Sequence, residues 1–182
     1  MGVGNQAREH IKCLSQIPQV ELAAFCDTRG DRAKAVAEGH GARSYTSYLE
    51  MLDRESLDAV YVVVPPFAHS ELEMLAARKG LAIFLERPVH ASVEQAEQVL
   101  LAIEEAGVIN SVGYHMRYYD TCDLVRREIG GGRIVSMICC SMGSMPGQHW
   151  WDVMNSSGDT MSEEISEEID LTRYLAGEVR KK

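Results

Sequence analysis

Met1-Gly2-Val3-Gly4-Asn5-Gln6-Ala7 is a Gly-x-Gly-x-x-Ala turn that runs straight into an amphipathic stretch. It limits what the chain can fold into because each small residue answers a separate steric demand. The first glycine permits a tight turn, the second lets backbone come close to a pyrophosphate, and the small third residue lets helix and strand pack closely. The positive N-terminus of the following helix then faces the phosphates. Short glycine spacings also occur in ordinary turns, so the pattern needs support. Asp27 supplies some of it, lying about 20 residues further on, where a carboxylate meets a ribose, and closing the strand-like run 20–26. The fingerprint ordinarily follows a buried strand, and here only Met1 precedes it.

Strand and helix signals alternate beyond the loop. Ile11, Leu14 and Ile17 share a helical face, and Pro18 stops that helix. Residues 32–38 are good helix formers closed by Gly39 and Gly41, and a short strand follows at 43–45. Ser47 to Glu50 and Ser92 to Gln95 have the form of capping boxes, each opening a helix, the second with an apolar face of Ala96, Val99, Leu100 and Ile103. Residues 59–64 run apolar without alternation, as in a parallel strand covered on both faces. Pro65-Pro66 ends it, a helix spans roughly 70–78, and further strands are expected at 81–85 and 108–112. This is the rhythm of a doubly wound parallel α/β sheet, whose ligands bind at the carboxyl edge of the strands. After Tyr118 the rhythm changes to a helix at 124–129, a triple-glycine break, a strand-like run at 134–140, Trp150-Trp151, and a last helix opened by a third capping box, Thr160 to Glu163. Trp150-Trp151 suits either a sugar face or core packing.

Of 182 residues, 46% are hydrophobic and 25% charged, enough for one sizeable core and part of a second. No apolar run approaches the roughly 18 residues of a membrane span. Met1 leads into a glycine loop instead of an export signal, so the expectation is a cytoplasmic protein with no membrane partner. The five cysteines, Cys13, Cys26, Cys122, Cys139 and Cys140, are odd in number and lack Cys-x-x-Cys spacing, so neither a disulfide framework nor a zinc site is expected. A formal net charge of −9 argues against a nucleic-acid surface.

Read together, Glu86-Arg87-Pro88, Gly113-Tyr114-His115-Met116-Arg117 and the late helix from Asp170 to Val179 make the chain resemble the glucose-fructose oxidoreductase / inositol dehydrogenase family (Gfo/Idh/MocA), truncated at both ends. The likeness covers essentially every residue. Its Gly-x-Gly loop, strand-terminal Cys26-Asp27, Pro65-Pro66 followed by His69, Glu-x-Pro turn and Gly-Tyr-x-x-Arg segment occur in that order. The resemblance implies a Rossmann domain at 1–118, its first strand largely missing, and at 119–182 the start of a second, α+β substrate or oligomerisation domain. It implies hydride transfer between NAD(P) and a sugar, cyclitol or related polyol, by a homo-oligomer. Gly2, Gly4, Asn5 and Ala7 match the phosphate loop, Asp27 the ribose contact, and Pro65, Pro66 and His69 the segment bordering the cofactor. Glu86 and Pro88 match a motif whose lysine, near nicotinamide and substrate, is Arg87 here. The family's late helix carries an acidic or amide residue and, four residues on, a histidine that takes the substrate hydroxyl proton. Those positions read Glu163 and Glu167.

Asp27 can accept ribose hydroxyls and would repel a 2′-phosphate, favouring NAD over NADP, although Arg29 stands near. Arg87 keeps a positive charge but lacks the titratable ammonium of lysine, leaving substrate positioning or an ordinary ion pair with Glu86. Glu163 and Glu167 share a helical face with Asp170 and Tyr174. They could share a proton, hold a metal, or simply complement the helix dipole as an acid-rich first turn. His115 is the spare base. The expected catalytic set is therefore Arg87, Glu163, Glu167 and His115, with no metal. Two of the family's chemical residues are replaced together, so the alternatives are a catalytically silent nucleotide-binding or interaction protein of the same fold, or a gene fragment. Without a full central strand, the strands ending near Asp27 and Val64 are expected to expose unpaired edges and to drive self-association.

Overall fold

The structure, a computed structural model, describes residues 1–69, 71–132, 134–140, 142 and 165–177. Every strand pair in it is parallel. β1 (Ala24–Cys26) pairs with β2 (Arg43–Tyr45), and β3 (Ala59–Val62), β4 (Ala82–Leu85) and β5 (Asn110–Val112) pair in that order. Helices α1 (Asn5–Leu14), α2 (Gly30–His40), α3 (Tyr48–Arg54), α4 (Glu71–Arg78) and α5 (Val93–Ala106) fill the crossovers. A 3-10 turn (His115–Tyr118), α6 (Asp120–Ile129) and α7 (Ser166–Ala176) follow.

Met1 and Gly2 occupy the seam between β1 and β3. The Gly2 N–H donates to the Cys26 carbonyl at 2.8 Å, and the Val63 N–H donates to the Met1 carbonyl at 2.9 Å. The Met1 amine donates to the Tyr61 carbonyl at 2.5 Å. The two edges expected to stand open are therefore bridged over a short length, and the strand order is that of a doubly wound sheet.

The local signals hold where side chain meets backbone within one turn. Ser47 accepts the Glu50 N–H and Ser92 the Gln95 N–H, each at 3.4 Å, so both expected caps form. Gly41 and Gly107 terminate α2 and α5. Three expectations are corrected. β1 is confined to Ala24–Cys26 within the expected run 20–26, because its partner β2 offers only three residues. α5 turns Val99, Ala102 and Ile103 inward and leaves Leu100 52% exposed, a rotation of its apolar face toward α4. Residues 134–140 pair with no described strand, and Val135 and Ile138 are 93% and 92% exposed. Apolar β-branched residues make a strand only beside a partner ladder. Trp150-Trp151 and the third capping box lie outside the described residues.

The sheet's two faces differ. Beneath it, α3, α4 and α5 close an aliphatic core of Met51, Leu52, Val60, Val62, Leu72, Ile83, Leu85, Val99 and Ile103. On the opposite face, α1 and α2 cover Val3, Phe25 and Ala37. There His10 of α1 meets Tyr61 and Phe84, which stack with centroids 4.6 Å apart, and His10 lies edge-on to Phe84 at 4.9 Å. A polar group on this second face points toward the strands' carboxyl ends. No helix among the described residues is long and apolar enough to cross a membrane.

Candidate functional site

Gly2 has φ +75°, and a Cβ there would sit 2.1 Å from the Val63 carbonyl oxygen. That contact is with backbone, so no side-chain movement relieves it. A Cβ at Gly4 would meet nothing within 4 Å, leaving the space over the turn open. Ala7 is buried where α1 crosses the strands. Gly2 thus answers a steric demand of the turn and Ala7 one of packing, while Gly4 stands beside open space. Helix α1 has no side-chain cap, unlike α3 and α5, so its first-turn N–H groups, beginning at Asn5, keep their capacity to bind an anion.

Asp27 stands at the end of β1 with one carboxylate oxygen accepting the Val3 N–H at 3.0 Å and the other the Arg29 N–H at 2.9 Å. It grips the phosphate loop while keeping lone pairs for further donors. The Arg29 guanidinium turns to Asp31, at 2.8 Å. Pro65 and Pro66 lead off β3 into a 3-10 turn, with Pro66 buried. His69 is only 3% exposed. Its Nε2 lies 3.1 Å from the Val64 carbonyl and its Nδ1 2.6 Å from Glu73 Oε1, so its ring fixes the Pro-Pro turn to α4 from within.

Glu86, at the end of β4, joins three segments. Its Oε1 lies 2.6 Å from His10 Nε2 and accepts from Gln6 at 3.4 Å, while Oε2 accepts the Arg87 N–H at 3.0 Å. Gly113 backs onto it so closely that a Cβ there would lie 3.2 Å from the carboxyl carbon. Burial pushes the Glu86 pKa upward, yet the hydrogen bonds from His10 and the Arg87 N–H outweigh it and hold the carboxyl below its ordinary value. Gln6 and His10 were not singled out from the sequence. The available signal was a histidine and a glutamine placed one turn apart on the helix that follows the glycine loop.

The chemical end gathers Arg87, His115 and Glu167. Glu167 is 2% exposed, with its Oε1 3.0 Å from His115 Nδ1 and 3.6 Å from Arg87 Nε. These are ion-pair distances without hydrogen-bond alignment, and neither Glu167 oxygen has a directed donor among the described residues. One turn along α7, Asp170 takes two hydrogen bonds from Arg117, the Nε bond at 2.6 Å, and these push the Arg117 pKa above its ordinary value. One turn further, Arg126 donates to the Tyr174 hydroxyl and its guanidinium lies over that ring at 4.6 Å. Burial, then the Asp170 carboxylate, raises the Tyr114 pKa. The acidic stripe of α7 is thus its buried stripe, whereas Ile169 is 48% exposed. Glu167 and Glu168 do stand in the first turn of α7, where a carboxylate complements the helix dipole, but Glu167 is buried there. Arg87 Nε stands 3.6 Å from Glu167 Oε1, and its backbone N–H donates to Glu86 Oε2. Glu163 lies outside the described residues. Among the described residues, no group of three His, Cys, Asp or Glu side chains is placed to hold a metal ion.

Comparison with known proteins agrees with this geometry. The chain is 28% identical over 184 residues to scyllo-inositol 2-dehydrogenase (NAD(+)) of Bacillus subtilis, covering 97% of this chain and 53% of that protein. It superposes on the WlbA dehydrogenase of Bordetella pertussis, solved with NADH and UDP-GlcNAcA, with TM-score 0.82 and 25% identity over 97% of this chain and 57% of that one. The fold also matches myo-inositol 2-dehydrogenase of Lactobacillus plantarum, with TM-score 0.87 and 24% identity over 97% and 55% of the two chains. The chain spans about half the length of the curated relatives it matches. The profile of the Gfo/Idh/MocA oxidoreductase family, NAD-binding Rossmann fold, matches residues 1–114, and the chain belongs to that family.

Proposed function

We propose that this chain binds NAD(H) across the carboxyl edge of its sheet and serves hydride transfer at a secondary hydroxyl of a sugar, cyclitol or related polyol. The observation that carries the reading is the Gly2–Gly4 turn, whose first glycine is sterically obligatory while its second leaves open space before an uncapped helix N-terminus. A pyrophosphate suits that space. Gly2, Gly4 and Asn5 would hold the phosphates, Asp27 the adenine-side ribose, and Pro65, Pro66 and the turn fixed by His69 the wall beside them. Glu86 sets the far limit of that wall. The cofactor, when bound, supplies the hydride acceptor. Arg87, Glu167 and His115 would then form the chemical end, with Glu163, outside the described residues, as a further candidate and residues 119 onward beginning the substrate side. Relatives acting on inositols support the substrate class.

Asp27 favours NAD, because its carboxylate would repel a 2′-phosphate and Arg29 is already engaged by Asp31. Fluorescence titration tests this. NAD(H) is expected to bind more tightly than NADP(H), and Asp27→Ala to narrow the gap. Equal affinities, or an unchanged preference in the variant, remove Asp27 from the ribose site. Turnover is followed as NAD reduction with scyllo-inositol and other polyols.

A further inference from the structure

We infer that His115 and Glu167 form an acid–base pair in which the buried Glu167 carboxylate, 3.0 Å from Nδ1, draws the ring proton to that nitrogen by charge and leaves Nε2 to accept a proton from a substrate hydroxyl. The inference rests on the hydride-transfer reading above and assigns the proton to a particular atom.

Three observations converge on it. Glu167 Oε1 lies 3.0 Å from His115 Nδ1, the Glu167 side chain is 2% exposed, and the His115 side chain is 56% exposed. One ring nitrogen therefore faces a buried carboxylate while the ring as a whole keeps an open side. A carboxylate beside one imidazole nitrogen selects the tautomer with the proton there, which leaves the other nitrogen basic. Tyr119 lies edge-on to the His115 ring at 5.6 Å, limiting its rotation. The carboxylate is itself held by the docking of α7, since the Arg117 to Asp170 pair one turn later fixes which face of the helix turns inward. Arg87 Nε, 3.6 Å from the same Oε1, favours the ionised carboxylate while the ring is neutral.

Both Glu167 oxygens are buried without a directed donor among the described residues. Such a group ordinarily costs about 1–3 kcal/mol. Hydroxyls of a bound polyol are donors of the right kind to relieve that cost. In the oxidation, the carbinol C–H bond breaks and its hydrogen leaves with both bonding electrons to the oxidised nicotinamide. The O–H proton passes to His115 Nε2, and the carbon–oxygen double bond forms. The carbinol is oxidised, the nicotinamide is reduced, and the ring carries the proton until solvent removes it. Glu167, which touches no reacting atom in this scheme, is a positioning residue.

The test is the ¹⁵N spectrum of histidine-labelled chain at mildly alkaline pH, with the His115 signals identified by their loss in His115→Asn. Free imidazole in water favours the Nε2–H tautomer. The native chain is expected to show Nδ1–H at His115, and Glu167→Gln and Glu167→Ala each to revert toward Nε2–H. An Nε2–H tautomer in the native chain overturns the dyad, and that spectrum is decisive even if Glu167→Ala fails to fold. In the NAD-reduction assay, His115→Asn is expected to lower kcat about 10²-fold or more while leaving NAD(H) affinity unchanged. Undiminished turnover overturns His115 as the acceptor. A chain that shows the Nδ1–H tautomer but binds no NAD(H) would retain the dyad geometry and sink the dehydrogenase reading instead.

Discussion

The two ends of the candidate cleft are built on opposite terms. At the phosphate end, Asp27 and Glu86 have backbone or side-chain donors on both carboxylate oxygens, and Gly2 fits a space that admits no other residue. At the chemical end, Glu167 is more deeply buried than Glu86 or the half-buried Asp27, and its oxygens have no directed donor among the described residues. A satisfied polar group holds a shape, whereas an unsatisfied one holds a charge in readiness for a ligand. On the proposed function, the difference would separate a prebuilt cofactor platform from a site whose last hydrogen bonds arrive with the substrate.

The largest expected effect breaks the platform. Gly2→Ala drives a Cβ into the Val63 carbonyl from a left-handed backbone, and should cost about 3–5 kcal/mol, enough to unfold a marginal domain. Gly4→Ala is its control. Nothing surrounds that Cβ, so thermal melting should change little while NAD(H) affinity falls sharply. Equal melting losses in the two variants would show that the glycines do not divide their roles.

A smaller effect is expected at Glu86. Glu86→Gln removes the charge that faces His10 and should destabilise by about 1–3 kcal/mol. The sign of the pH dependence follows from the depressed pKa. The folded chain takes up that proton less readily than the unfolded one, so its stabilising contribution is present above the ordinary carboxylate range and fades as pH falls through it. Acid titration of the native chain and of Glu86→Gln should converge at low pH. Parallel curves would mean that Glu86 contributes no pH-linked stability.

The smallest effect has the opposite sign. Glu167→Gln removes a buried charge whose oxygens lack directed donors, and is expected to be neutral or stabilising by about 1 kcal/mol while turnover drops. A loss of stability like that at Glu86 would erase the contrast between the two ends.

What the sequence made legible follows the same division. The glycine turn, Asp27 and the caps at Ser47 and Ser92 could be read because each works through backbone within a turn or at a fixed offset. The apolar run at 59–64 marked the central strand because burial on both faces leaves a pattern in a single segment. The His10 to Glu86 contact spans 76 positions and the Arg117 to Asp170 pair 53, and neither leaves a periodic trace. Glu167 showed the limit most clearly. Beside Glu164 and Glu168 it had the composition of a solvated first turn, and only the arginines and histidine arriving from other segments make its face the buried one.

The seam at Met1 and Gly2 has a consequence for how the sheet comes apart. Three backbone hydrogen bonds through Met1 and Gly2, and the packing of α3 and Cys26 into the shared aliphatic core, join the β1–β2 pair to the β3–β4–β5 group, while each group has its own ladder. Cooperative units of unfolding tend to part where the fewest contacts cross. Native-state hydrogen exchange should therefore resolve two foldons, with the Gly2 and Val63 amides opening at lower free energy than those of β4. The phosphate loop lies on that boundary, so a dinucleotide clasped between Asp27 and the Pro65-Pro66 turn would fasten the two units and merge them into one.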